Sequence, residues 1–103
     1  MIDTAPVYMG QFDAMVAGSV FERYLDVTDE LAVGRSISTV AFTVRDAAGA
    51  TVAGVVTSNT PGGGRVDFRG TLPATAGWYE LSAFFTLDDA QTFTRTAGIW
   101  VVK

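Results

Sequence analysis

The 103-residue chain contains no cysteine and no histidine. Without an imidazole or a thiol, Ser-His-Asp and Cys-His nucleophile systems cannot be assembled, and the usual zinc and haem ligand sets are missing. No disulfide can brace the fold, so apolar packing must hold it, and synthesis in a reducing compartment fits. Lysine is almost absent as well: Lys103 stands alone, and the six arginines (Arg23, Arg35, Arg45, Arg65, Arg69, Arg95) are scattered in a chain of net charge −4. That distribution offers no basic stripe to nucleic acid. No apolar run approaches the roughly 18 residues of a membrane span, and Met1-Ile2-Asp3 lacks the basic start of a signal peptide. The expectation is a soluble chain made in the cytoplasm, with neither nucleic acid nor membrane as partner.

What the chain does have is apolar side chains. Hydrophobic residues make up 49% and charged ones 17%, with a mean hydropathy of +0.29. A chain of this length fits one domain, and such a domain buries only about 60–65% of the surface its unfolded chain exposes. Either some apolar surface is buried against other chains, or a dense core is supplemented by many small Ala and Val residues.

Seven segments rich in Val, Thr and aromatics read as strands: Phe12–Ala17, Val20–Val27, Ile37–Arg45, Thr51–Thr57, Arg65–Arg69, Gly77–Leu87 and Thr92–Val102. Between them, Asp46-Ala47-Ala48-Gly49 suits a tight hairpin, Asn59-Thr60-Pro61-Gly62-Gly63-Gly64 a flexible loop, and Asp88-Asp89-Ala90 the last hairpin. Between Asp26 and Gly34, Thr28 suits the cap of a short helical turn with Asp29 and Glu30 in its first positions, Leu31 packing inward and Gly34 ending it. Such a turn would bridge two sheets. Residues 1–11, with Pro6, Gly10 and the apolar group Val7-Tyr8-Met9, lack periodicity and read as an N-terminal arm or irregular edge. Residues 12–103 form the domain proper.

Ala76–Phe85 narrows the fold. Gly77 permits a bend, after which Tyr79, Leu81, Ala83 and Phe85 alternate onto one buried face. A Tyr two residues before a core position resembles the tyrosine corner of immunoglobulin-like sandwiches, with Leu81 where antibody domains carry Cys. The expected fold is therefore all-β: an immunoglobulin-like antiparallel β-sandwich of about seven strands with one short helical turn. Its expected core contains Val40, Phe42, Val44, Val66, Phe68, Tyr79, Leu81 and Phe85.

Few residues suggest chemistry. Gly62-Gly63-Gly64-Arg65 lacks the Gly-Lys-Ser/Thr ending of a phosphate loop, and no helix follows it. Asp88-Asp89 is better explained as turn formers than as an acid–base pair. Asp26, Asp29 and Glu30 could share a calcium ion, yet capping explains the same residues without one. No enzyme activity, cofactor or metal is expected. Alternation turns Trp78, Phe84 and Trp100 outward from the sheet. Grouped exposed aromatics mark an apolar contact patch, unless an arm or loop of the same chain covers them. In the arm, Tyr8 and Met9 are candidate anchors that would order on a neighbouring subunit.

From Asp26 onward the chain resembles short immunoglobulin-like virion proteins encoded among the head and tail genes of tailed bacteriophages, of the fibre-tail adaptor or head-tail structural type. The resemblance spans most of residues 21–103. It rests on the acidic turn Asp26-Val27-Thr28-Asp29-Glu30-Leu31, Gly34, the strand start Ser36-Ile37-Ser38, the alternating Val40, Phe42 and Val44, the Gly77-x-Tyr79 strand, and the closing strand Thr94-Arg95 through Ile99-Trp100-Val101. Where the family usually carries Trp beside the opening Asp and the Leu, this chain has Val27 and Glu30. The resemblance implies a non-enzymatic adaptor or connector of a virion, assembled as a homo-oligomer in contact with copies of itself and other phage structural proteins. Capsid decoration is the alternative within the same particle. A stand-alone carbohydrate-binding or adhesion module, with Trp78 and Trp100 as platforms, is the alternative outside it.

Overall fold

A computed structural model describes residues 14–103 throughout and the backbone of Asp3–Val7 and Gly10–Gln11. Two sheets pack face to face. The strands are β1 (Asp3–Val7), β2 (Gly10–Gln11), β3 (Met15–Val16), β4 (Val20–Asp26), β5 (Ile37–Asp46), β6 (Val56–Gly62), β7 (Arg65–Thr71), β8 (Gly77–Leu87) and β9 (Thr92–Val102), with a 3-10 turn over Thr28–Glu30. One sheet has the order β1-β4-β7-β6, and the other runs β2-β9-β8-β5 with β3 also paired to β9. The six long strands from β4 to β9 pair antiparallel. This is the strand arrangement of an immunoglobulin-like sandwich, and the expected fold holds.

The segment expected as an arm or irregular edge contributes backbone pairing on both sheets. β1 lies parallel to β4 and β2 parallel to β9, while β3, inside the strand expected over Phe12–Ala17, also lies parallel to β9. Tyr8 and Met9 fall outside the described residues.

Period-two burial builds the core. β7 and β8 alternate strictly between buried and more exposed positions, because every second side chain on a pleated strand meets the opposite sheet. Val40, Val44, Val66, Phe68, Tyr79, Leu81 and Phe85 are buried as expected, while Phe42 is only half-buried, packed against the core with its ring centroid 4.7 Å from that of Phe68. The tyrosine corner is present: Tyr79 Oη donates to the Thr75 carbonyl at 2.7 Å.

Three local expectations are corrected. The strand expected over Thr51–Thr57 begins at Val56, since Gly54 turns the chain at φ +77° and Thr51 makes only an isolated bridge to Arg45. The flexible loop expected from Asn59 to Gly64 is the end of β6 followed by a two-residue turn. Gly62 pairs with Arg65, and Gly63 supplies the positive φ that such hairpins require. Pro61 is tolerated because β6 is an edge strand, where one N–H row has no partner to lose. Finally, Thr28 does not cap the 3-10 turn. It is the first residue of the turn, Val27 holds the N-cap position without a side-chain cap, and Asp26 Oδ1 accepts from the Thr28 amide at 3.0 Å and the Thr28 hydroxyl at 2.7 Å.

Candidate functional site

The outer faces of the two sheets differ in kind. On the first sheet, cross-strand register sets Glu22 opposite Arg69 and Tyr24 opposite Asp67, and the charges satisfy one another. Arg65 donates to Asp67 at 2.8 Å and lies 3.8 Å from the centroid of the Tyr24 ring, while Arg69 pairs with Glu22 at 3.5 Å. On the second sheet the outward positions of β9 are Thr92, Thr94, Thr96, Gly98, Trp100 and Val102, and those of β8 are Trp78, Glu80, Ser82, Phe84 and Thr86. Among the described residues, the charges on that face are Glu80 and Arg45, which stand opposite each other in register.

All three outward aromatics expected from alternation are exposed: Trp78 at 41%, Phe84 at 46% and Trp100 at 44%. The structure brings two of them together. Trp78 and Trp100 are direct cross-strand partners whose ring centroids lie 5.8 Å apart at 45°. Phe84 stands apart, beside Ala41 and Thr94 in register, six residues and so about 20 Å along the strand from Trp78.

A hydrophobic residue that sequence reasoning passed over completes the tryptophan end. Val16, 55% exposed, pairs with Val102 on the neighbouring strand and faces outward, since its neighbour Met15 is buried. Val16, Val102, Trp100 and Trp78 thus form an apolar corner on an otherwise threonine-rich sheet. The alternation of buried and exposed residues in a two-residue strand is too short to read from sequence, which is why Val16 gave no signal.

Gly98 explains how Trp78 is seated. A Cβ built at Gly98 would fall 2.4 Å from Cζ2 and 2.8 Å from Cη2 of Trp78, so the indole occupies the space that any side chain there would fill. Beyond it, Trp78, Glu80, Thr96, Ala97 and Gly98 line an open groove of about 230 Å³.

Two carboxylates of the acidic turn are engaged by other side chains of the protein. Asp26 is engaged by Thr28, and its carboxyl is held below the ordinary value of 3.8, chiefly by the Thr28 hydroxyl, then by the Thr28 amide. Glu30 pairs with Arg95 of β9, while Arg35 lies 3.6 Å from Asp88 and 3.9 Å from Asp89 in the β8–β9 hairpin. These contacts tie the turn to the second sheet, and the Val27 amide donates to the Gly64 carbonyl of the first at 2.7 Å. Among the described residues, no three metal-ligating side chains cluster.

Known proteins add little to this geometry. No family model and no curated protein matches the chain. A solved structure similar to it is the solution structure of Amebosin, 14% identical over 96% of each chain with a TM-score of 0.44, too distant a likeness to carry any statement about function.

Proposed function

We propose that this protein is a non-enzymatic structural component of a tailed-phage virion, an adaptor or connector working through protein–protein contacts. The observation that carries the reading is the apolar corner of Trp78, Trp100, Val16 and Val102 on the β5-β8-β9 sheet, left exposed in a chain whose other broad face satisfies its own charges. Aromatic anchors of this kind dominate the energetics of interfaces, and a contact repeated around a symmetric particle gains avidity that one corner alone lacks. The resemblance of most of residues 21–103 to phage head and tail proteins suggests the particle.

The test is co-expression with the products of the flanking genes, followed by size-exclusion chromatography. Co-elution with a head or tail protein, lost on Trp100→Glu and retained on Thr94→Glu at the far end of the sheet, is the expected outcome. Flanking genes for secretion or polysaccharide utilisation, in place of terminase, portal or capsid genes, would overturn it.

A further inference from the structure

The two sides of the tryptophan pair offer different surfaces. Toward β3, Trp100 continues into the apolar Val16 and Val102. Toward the middle of the sheet, Trp78 leans over Gly98 and borders the open groove with Glu80 and Thr96. We propose that this second side is a binding site for a pyranose ring of a neutral saccharide.

The chemistry of the groove selects that class. A pyranose has an apolar face of axial C–H groups and an equatorial rim of hydroxyls, so it needs an exposed aromatic surface with hydrogen-bonding groups at its edge. Trp78 provides the surface. Glu80 is two residues along the same face of β8, and its carboxylate accepts from hydroxyls; Thr96 Oγ1, on the adjacent strand, both donates and accepts. The pair geometry fixes the mode of stacking. Two aromatic rings that sandwich a sugar must stand about 7–8 Å apart, twice an ordinary van der Waals spacing, whereas these centroids are 5.8 Å apart. The sugar therefore stacks on one indole while the other, tilted at 45°, walls the platform. An anionic ligand is disfavoured because the group at the groove's edge is itself a carboxylate. Gly98 is the specificity element of the platform: a side chain there would displace the Trp78 ring.

The chain has only two tryptophans, Trp78 in the groove and Trp100 with its ring centroid 5.8 Å away, so intrinsic fluorescence reports on the site without a label. Titrating the full chain with maltotriose, cellotriose and chitotriose is expected to give a saturable change in tryptophan emission with at least one of them. Binding should weaken about tenfold or more in Trp78→Ala and Glu80→Ala, read by calorimetry, and persist in Phe84→Ala. Circular dichroism of each variant separates loss of binding from loss of fold. No saturable response to any of the three sugars overturns the proposal, as does equal affinity in Trp78→Ala. Emission that follows protein concentration instead of sugar would assign the groove to a second copy of the chain, and also overturns it. The site shares its tryptophans with the apolar corner of the virion reading, but that reading is tested by co-elution with flanking-gene products and this one by sugar titration, so either can fail alone.

Discussion

Phe85 and Phe42 were expected to share one inward face, yet they differ in how much of each ring leaves water. Phe85 is fully buried and stacks on Phe93 with centroids 4.8 Å apart, while Phe42 stays half-buried near the β5 edge. Phe85→Ala is expected to cost about 3–5 kcal/mol, and Phe42→Ala about half as much because less area is removed from water. Urea denaturation of the two variants checks this, and equal losses would contradict the burial difference. Alternation made the inward positions legible in the sequence, but the shielding of Phe42 depends on how closely the other sheet approaches the β5 edge. Arg23 was illegible for a different reason. It alternates with Phe21 and Leu25 onto the inner face and is only 3% exposed, donating to the Glu22 carbonyl at 2.9 Å and to Met15 Sδ at 3.2 Å. A reading guided by hydropathy assigns such a residue to solvent, since a buried charge persists only when its donors are satisfied.

At the scale of elements, the turn after β4 has a measurable pH signature. The Thr28 hydroxyl and amide favour the ionised Asp26 carboxyl, so its folded-state pKa lies below the unfolded value of 3.8. The stabilisation is therefore fully present above that unfolded value and is lost as pH falls through the lowered folded one. Melting temperatures of the wild type and Asp26→Asn, compared between about pH 2 and pH 6, should converge toward the acid end and separate above it. A constant offset across the range would rule out the linkage. The long strands β8 and β9 were legible because their alternation persists over about ten residues, and β5 because Val40, Phe42 and Val44 alternate after a register shift near Ile37. β6 was not: its residues Val56–Gly62 are exposed or half-buried throughout, so no period-two pattern exists to be read. The apolar Val52 and Val55 ahead of it drew the expected strand five residues too early, although they pack individually from a turn.

Across the whole molecule, the division of labour between faces follows from where the aromatics fall. The outward alternation of Trp78, Phe84 and Trp100 was readable along each strand, but their partition into a tryptophan corner and a lone phenylalanine required the register of β8 against β9. The same register has a consequence in time. Each sheet contains one hairpin closed by a short turn, β6–β7 around Gly63 and Gly64 in the first and β8–β9 around Asp88–Gln91 in the second. Every remaining long pairing, β4 with β7 and β5 with β8, joins strands roughly forty residues apart, and closing such loops is slow. The two hairpins are thus the early pieces of folding, and the later strands dock onto templates already formed. Ala90, held at φ +71° in the second turn, is then a brake on the first step. Relieving it with Ala90→Gly is worth about 0.5–1 kcal/mol, which should speed refolding about two- to fivefold with little change in the unfolding rate. In stopped-flow experiments, a gain confined to the unfolding limb would mean that this hairpin closes only after the rate-limiting step, and that the chain waits on its distant strands before its nearest ones.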